Sequence, residues 1–212
     1  MRYIWYIGID EVGRGPLAGP ITLAAVAAKM PESQVSIFDQ SPSLEGIRDS
    51  KKLSPARRKV WDRLIRRNFA YAITSVHPKM IDARGISPAA HIAVERCLKK
   101  LATTYQLEPD TCVVLLDGGL RAPKAYEGQK TIIKGDERVP LIAAASIVAK
   151  VYRDAYMRRL HRRLPAYGFD RHKGYGTAVH QQAIRLCGLS PYHRATFCGR
   201  IAHRENPKPR IM

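Results

Sequence analysis

Residues 3–28, YIWYIGIDEVGRGPLAGPITLAAVAA, decide the architecture of this chain. The nearly continuous apolar run over 3–9 predicts a buried strand, and this run ends at Asp10 and Glu11. The glycines and proline of residues 13–16 predict a tight turn, which leads into a second apolar strand over 21–28. Two acidic residues therefore stand where a buried strand stops and a turn begins.

Outward from this stretch, strand and helix patterns are mixed along the chain. Ser54-Pro55 and Ser87-Pro88 each have the pattern of a helix start, with serine as the N-cap and proline at the first helical position. A mixed order of strands and helices indicates one α/β or α+β layered domain. The other predicted strands are residues 69–76, 111–116 and 131–134. Besides the helix that begins at Ser54, the predicted helices are residues 89–105, 141–164 and 177–187.

Composition and charge narrow the class of partner. The 212 residues are 45% hydrophobic, which excludes a disordered or fibrous protein and allows a sizeable core without disulfides. Lys and Arg number 36 against 18 Asp and Glu, a net charge of +18 that favours a polyanionic partner. Residues 147–212 contribute 14 basic and 3 acidic residues to this excess. A solvated basic face is the alternative, but we favour a surface that contacts phosphates.

The cysteines and the apolar runs indicate the compartment. The four cysteines form no CxxC pair and are interpreted as reduced thiols of a cytosolic protein. The longest apolar runs, 17–28 and 141–149, are too short and too rich in small residues to span a bilayer. No targeting or oligomerisation signal is visible, so we expect a cytoplasmic monomer.

Carboxylates recur at the ends of apolar runs. Asp10 and Glu11 follow the first strand, Asp117 follows residues 113–116, and Asp136 follows residues 131–135. Any one of them could simply begin a turn, but several in one strongly basic chain favour a shared site at strand ends. Clustered acids need a cation, and oxygen ligands without His or Cys favour Mg²⁺ or Mn²⁺. A pair of such ions can catalyse phosphodiester hydrolysis.

Three further segments are candidates for contacts with the substrate. The turn made by Gly13, Arg14 and Gly15 places backbone groups and a guanidinium beside the acidic pair, although Gly-x-Gly alone is a weak signal. The sequence before the helix at Pro55 and the loop over 172–176 combine basic side chains with a helix start or with an aromatic held between glycines. Their candidate residues are Ser50, Lys51, Lys52, Lys173 and Tyr175.

Each of these segments also has an ordinary structural explanation. The glycine segment could be only a turn. The segment before Pro55 could be a capped helix with exposed lysines, and Tyr175 could be a core tyrosine. Asp154 is interpreted first as the ion-pair partner of a nearby arginine and only second as a site residue. A serine hydrolase and a Walker A nucleotide site are both excluded, because neither Gly-x-Ser-x-Gly nor the Gly-Lys-Ser/Thr ending is present.

Residues 8–20, GIDEVGRGPLAGP, resemble the opening motif of bacterial ribonuclease HII. Residues 49–53, 134–136, 144–151 and 167–177 resemble the later motifs of that family in the same order. The resemblance implies an α/β, ribonuclease H-like fold: a mixed five-stranded sheet flanked by helices, with a C-terminal helical extension. It covers residues 6 to about 200, so we expect one catalytic domain over 1–203 and a loose basic tail over 204–212.

The resemblance also implies a reaction. The family's four catalytic, metal-binding carboxylates match Asp10, Glu11, Asp117 and Asp136, which would hold two Mg²⁺ or Mn²⁺ ions. Its members are endoribonucleases that cut 5′ of a ribonucleotide in RNA–DNA hybrids or in duplex DNA, leaving 3′-hydroxyl and 5′-phosphate ends. This activity removes misincorporated ribonucleotides and RNA primers.

Recognition of the ribonucleotide is implied by two family motifs. The residues matching Gly13, Arg14 and Gly15 sense the 2′-hydroxyl through backbone groups. The tyrosine matching Tyr175 stacks on the next deoxyribose and so reads the RNA–DNA junction. Val12 and Gly119 depart from the common family pattern without removing a catalytic group.

Two rival interpretations remain. A basic nucleic-acid-binding protein without catalysis would gain nothing from four carboxylates among its phosphate contacts. Ribonuclease HIII carries an extra N-terminal domain, for which a strand starting at Tyr3 leaves no room. The tail has no apolar-aromatic ending of the sliding-clamp type, so no protein partner is predicted.

Overall fold

The computed structural model describes residues 3–31, 44, 46–47 and 53–202. Their strands form one five-stranded sheet in the order β3-β2-β1-β4-β5. β1, β2 and β3 are antiparallel neighbours, whereas β1, β4 and β5 run parallel. The expected mixed five-stranded sheet is therefore confirmed. The strands are β1 Tyr3–Val12, β2 Ile21–Pro31, β3 Ala70–Val76, β4 Cys112–Asp117 and β5 Gln129–Ile132.

Helices cover both faces of this sheet and extend past its end. In the described part of the chain they are α1 Pro55–Asn68, α2 Pro78–Arg84, α3 Ile86–Tyr105, α4 Gly135–Arg138, α5 Pro140–Arg163, α6 Phe169–His172, α7 Ala178–Cys187 and α8 Ala195–Ala202. Within the described residues no helix has both the length and the apolar character needed to cross a membrane.

The alternation of β1 assigns its side chains to the two faces. Ile7 and Ile9 pack in the core on the α3 side, while Tyr6 packs in the core on the α5 side. Residue 8 on the α5 side is glycine, and a Cβ there would lie 2.3 Å from the carbonyl carbon of Leu141. Gly8 therefore lets the start of α5 lie directly on the central strand.

The register of β1 and β4 places two carboxylates side by side at the carboxyl ends of these neighbouring strands. Ile9 pairs with Leu116 in the parallel ladder, so Asp10 and Asp117 follow at equivalent positions. β1 continues to Val12, however, so Asp10 and Glu11 lie within the strand and not after its end.

The second predicted helix start is wrong. α3 begins at Ile86 after Gly85, which has φ 83° and separates α3 from the short α2. Ser87 and Pro88 therefore lie in the first turn, and the Ser87 hydroxyl accepts a hydrogen bond from the Arg14 side chain. The first predicted start is confirmed, because Ser54 Oγ accepts from the backbone N–H of Arg57.

The C-terminal helices close the end of the sheet that carries the carboxylates. They share a small core built from Ala18 in the loop between β1 and β2, the late part of α5 and the segments around α6 and α7. The fully buried members include Ala18, Met157 and Phe169. Residues 204–212 lie outside the described residues, as do Ser50, Lys51 and Lys52.

Candidate active site

A cavity of about 630 Å³ opens at the carboxyl ends of β1 and β4. Three of the four predicted carboxylates border it, together with basic, hydroxyl and aromatic side chains from four other segments. The residues that line it are Asp10, Glu11, Val12, Gly13, Arg14, Gly15, Arg58, Asp117, Ser146, Lys150 and Tyr175.

Asp10 is the most enclosed acid of this cavity. It is 5% exposed, and its Oδ1 accepts a 2.7 Å hydrogen bond from the backbone N–H of Glu11. Burial raises the pKa of Asp10 well above its usual range, and the charges of Asp117 and Glu11 raise it further. The Ser146 hydroxyl on α5 acts in the opposite direction. The protein thus holds a carboxylate in a place that disfavours its charge.

Glu11 occupies the other face of the same strand. Burial raises its pKa, while the Arg14 guanidinium, 3.4 Å from Oε1, lowers it. The other oxygen, Oε2, is buried and has no hydrogen-bond partner among the described residues. Such an oxygen is costly unless it is paired, so it suits a cationic ligand.

Asp10 and Glu11 reach one cavity although they lie on opposite faces of β1. β1 runs on past both residues to Val12, so their side chains leave the strand in opposite directions. The pairing of β1 with β4 stops at Ile9, so the last residues of β1 project past their parallel neighbour. The cavity lies at this projecting end of β1, where side chains from both faces of the strand can line it.

Asp117 and Asp136 are joined through the backbone. Asp117 Oδ1 accepts a 2.7 Å hydrogen bond from the N–H of Gly135, the first residue of α4. Asp136 is 3% exposed and does not belong to the residues that line the cavity. It lies in a short helix, and not directly at a strand end as the sequence suggested. Within the described ranges, no group of three or more Asp, Glu, His or Cys side chains is arranged so that it could hold a metal ion.

Two buried arginines hold the segment 13–20 from inside the protein, Arg194 at the 13–15 turn and Arg153 at its later residues. Arg194 donates to the carbonyl oxygens of Gly13 (2.6 Å), Arg14 (2.8 Å) and Gly19 (3.0 Å). Arg153 donates to the carbonyls of Pro20 (3.0 Å) and Ala18 (3.2 Å). Both arginines are fully buried, and burial lowers the pKa of Arg194 to about 10.

Sequence reasoning missed these arginines and counted them among the phosphate-contacting surplus of residues 147–212. Their role depends on contacts more than 130 residues apart, which leave no local pattern. Part of the basic excess is therefore internal and shapes a turn.

Tyr175 lines the same cavity as the acids and is 42% exposed, so it is no core tyrosine. Lys173 has a left-handed backbone (φ 52°), and its ammonium donates to the carbonyls of Asp170 and Arg171. Its carbonyl accepts from Arg153 at 3.0 Å. Lys173 thus shapes the loop that carries Tyr175 and is not among the residues lining the cavity.

Sequence reasoning also missed two basic residues that the cavity wall includes, Arg58 and Lys150. Lys150 forms a 2.9 Å ion pair with Asp154. The ion-pair interpretation of Asp154 is therefore confirmed, with a lysine as the partner in place of the expected arginine.

Comparison with known proteins identifies the family. The sequence profile of the family described as Ribonuclease HII matches residues 7–201. This chain belongs to the ribonuclease HII family.

Its relatives and structural neighbours agree. The chain is 44% identical over 191 residues to Ribonuclease HII 1 of Methylibium petroleiphilum, covering 90% of this chain and 88% of that protein. It is 44% identical over 190 residues to ribonuclease HII of Microcystis aeruginosa, covering 90% and 86%. The ribonuclease HII of Archaeoglobus fulgidus, solved in complex with PCNA, superposes with a TM-score of 0.69 at 26% identity, covering 96% and 98%. The fold is therefore ribonuclease H-like, and the protein is a hydrolytic ribonuclease.

Proposed function

We propose that this ribonuclease HII hydrolyses the phosphodiester bond on the 5′ side of a ribonucleotide, in RNA–DNA hybrids and in duplex DNA with embedded ribonucleotides. The observation that carries this proposal is the wall of the cavity. Asp10, Glu11 and Asp117 face the same space as Arg14, Arg58 and Lys150, with Tyr175 at its rim. Phosphodiester hydrolysis needs both an acidic centre and basic groups that hold the chain.

The acidic residues fit divalent cations. They offer oxygen ligands only, which favours Mg²⁺ or Mn²⁺. Burial and mutual repulsion raise the pKa values of Asp10 and Glu11, and a cation would offset both effects. We assign Asp10, Glu11, Asp117 and Asp136 to hold two such ions. Bound there, the ions would activate water and stabilise charge on the phosphate oxygens.

The chain's own residues supply the other parts of the mechanism. Arg14 contacts Glu11 at 3.4 Å and donates to the Ser87 hydroxyl. If Glu11 held a cation, this guanidinium would be available to a substrate phosphate. The 13–15 turn, fixed by Arg194, presents its remaining backbone groups to the ribose 2′-hydroxyl. That hydroxyl is the one group that distinguishes RNA from DNA at a given sugar. Recognition and cleavage then depend on adjacent residues of β1 and its turn.

Tyr175 reads the neighbouring nucleotide in this scheme. Its exposed ring stacks on the deoxyribose that follows the ribonucleotide, so the enzyme recognises the junction between RNA and DNA. Ser50, Lys51 and Lys52 are proposed to contact the phosphates of the duplex, and Lys173 to contribute through its loop.

The test is cleavage of an end-labelled DNA duplex that contains one ribonucleotide, with Mg²⁺, with Mn²⁺ and with EDTA. We expect a single cut on the 5′ side of the ribonucleotide that requires a divalent ion. An all-DNA duplex of the same sequence is the control substrate. Cleavage of long hybrids alone would refute the junction specificity, and cleavage in EDTA would refute the metal assignment.

A matched pair of variants on α4 tests the assignment of Asp136. Asp136→Asn removes the buried carboxylate, and Glu137→Gln removes the exposed charge next to it. We expect Asp136→Asn to lower cleavage about 100-fold or more, because a lost metal ligand costs several kcal/mol of transition-state stabilisation. Glu137→Gln should retain wild-type activity within about twofold. Equal activities of the two variants would remove Asp136 from the site.

A further inference from the structure

Three histidines lie together under the loop of Tyr175, and the mechanism uses none of them. His180 is fully buried and His193 is 4% exposed. The rings of His172 and His180 stack at 4.3 Å between centroids, and Phe169 meets His180 edge-on at 5.5 Å. Burial lowers the pKa of each histidine, that of His193 to about 4. All three are therefore neutral at pH 7.

The hydrogen-bond partners assign the tautomers of the central pair. The backbone N–H of Ser190 donates to His193 Nδ1 at 2.9 Å, so the proton of the neutral His193 ring is on Nε2. His193 Nε2 lies 3.1 Å from His180 Nε2 and donates to it. The proton of His180 is then on Nδ1, which donates to the carbonyl oxygen of Tyr175 at 2.9 Å. Three donations in one direction end on the peptide that carries Tyr175.

The other end of this chain of hydrogen bonds is anchored to the 13–19 loop. His193 forms an isolated antiparallel bridge with Ala18. The N–H of Arg194, the next residue, donates to the carbonyl of Leu17 at 2.8 Å. The Arg194 side chain holds the carbonyls of Gly13 and Arg14. The two histidines thus connect the segment that shapes the 2′-hydroxyl turn with the segment that presents Tyr175.

We propose that His180 and His193 are positioning residues that fix the Tyr175 ring relative to the 13–15 turn and thereby set the preference for an RNA–DNA junction. This inference rests on the proposed function, in which those two elements read consecutive nucleotides. Both histidines act through the Tyr175 peptide and touch no reacting atom. Neutral rings suit this task, because a charged pair at 3.1 Å would repel and would break the donor–acceptor order.

The first test uses the wild-type protein and does not depend on activity. Nitrogen-15 chemical shifts of the histidine rings report protonation and tautomer. At pH 7 we expect His180 as the neutral Nδ1–H form and His193 as the neutral Nε2–H form. His180 found as the Nε2–H form, or either ring found as a cation, would overturn the inference without bearing on the proposed function.

The second test measures specificity. The readout is the ratio of kcat/KM on a single-ribonucleotide duplex to kcat/KM on a long hybrid. His180→Leu should lower this ratio about fivefold, the size expected for one lost hydrogen bond to a positioned group. His180→Asn places an amide N–H near the Nδ1 position and should restore the ratio to within about twofold. Val94→Ala, a buried substitution in α3, is the stability control and should leave the ratio unchanged.

A double-mutant comparison separates a positioning role from a general structural one. Tyr175→Ala should lower the same ratio, and His180→Leu should then lower it no further, because the histidine acts through the tyrosine. Independent, multiplying losses would overturn the inference and leave the proposed function standing. An unchanged ratio in Tyr175→Ala would instead refute the junction-reading role of Tyr175, and the inference with it.

Discussion

At the scale of single residues, the site is defined by charges that the protein keeps in unfavourable places. Asp10 is nearly enclosed, and its strongest influences are burial and the charge of Asp117, both of which disfavour its ionised form. Glu11 contributes a buried oxygen without a partner in the described chain. Burial disfavours the charges of both groups, and the proposed metal ions would offset that cost.

Asp10→Asn tests this view through stability and activity together. The amide keeps the shape of the side chain and removes the buried charge. Without divalent ions, the variant should unfold a few degrees above the wild type, as ~1 kcal/mol produces in a chain of this size. Cleavage should fall about 100-fold or more, while duplex binding is largely retained. Thermal unfolding and the labelled-duplex assay measure the two effects, and retained turnover with Mg²⁺ would contradict the assignment.

At the scale of secondary-structure elements, the site depends on how closely α5 approaches β1. Gly8 permits that approach, and α5 then brings Ser146 and Lys150 to the cavity that Asp10 and Glu11 border. A Cβ at Gly8 would meet backbone atoms of Leu141 and Ile142, which cannot move aside as the end of a flexible side chain could. The glycine is therefore a packing requirement of the active site and not a turn residue.

Gly8→Ala should destabilise the protein by about 3 kcal/mol or more, because the new methyl group forces β1 and α5 apart. Gly199→Ala is the matched control. A Cβ at Gly199 in α8 has open space around it, and alanine favours a helix, so this change should stabilise by ~0.5–1 kcal/mol. Denaturant unfolding of both variants measures the difference. Similar free energies of unfolding would show that the close contact is absent in solution.

The link between the 13–19 loop and α8 is a second feature at this scale. Arg194 immediately precedes α8, and Asp82 of α2 accepts hydrogen bonds from the N–H groups of Ala195 and Thr196 at the start of that helix. The guanidinium places four donor contacts on three carbonyls. Lysine has one ammonium and cannot reproduce this fork.

Arg194→Lys should accordingly lose about 2–3 kcal/mol, since buried carbonyls are left without donors. Arg185→Lys, at an exposed position of α7, should change stability by less than about 0.5 kcal/mol. Urea unfolding distinguishes the two expectations. Arg194→Lys should also impair cleavage, and wild-type stability and activity in this variant would show that the turn is shaped by other contacts.

The limits of prediction from sequence are also visible at this scale. Apolar runs and the Ser54 cap were sufficient to predict β1, β2 and α1, because burial and capping leave local patterns. α2 and α8 were missed, since both are short and one follows His77, which offers no side-chain cap. Ser87 was misassigned because the positive φ of Gly85 carries no signal in its neighbours. Arg153, Arg194 and the histidine pair could not be found, because their roles exist only in long-range contacts.

At the scale of the whole molecule, the chain has a net charge of +18, whereas burial disfavours the charged form of the histidines in its interior. Burial lowers the pKa values of His172, His180 and His193, and the ring of Phe169 lies against His180. Burial raises the pKa values of Asp10 and Glu11, so the folded protein binds protons at these acids more readily than the unfolded chain does. Acidification therefore acts on stability in two directions, and the histidine contribution must be isolated by substitution.

His193→Gln isolates it. The pKa of His193 is about 4 in the folded protein and ~6.5 when the chain is unfolded. Between these values the unfolded state binds a proton that the folded state rejects, so this histidine lowers stability as the pH falls through that window. The free energy of unfolding of the wild type should therefore decrease by about 2–3 kcal/mol more than that of His193→Gln between pH 7 and pH 4.5.

Denaturant unfolding across this pH range, with His91→Gln as an exposed histidine control on α3, provides the measurement. The control should follow the wild type, because the His91 side chain is exposed on the surface of α3. Parallel curves for wild type and His193→Gln would mean that His193 accepts a proton in the folded protein. Its hydrogen bond to His180 could not then survive in acid. Diverging curves would instead show that His193, the residue proposed to position Tyr175, contributes to the loss of unfolding free energy in acid.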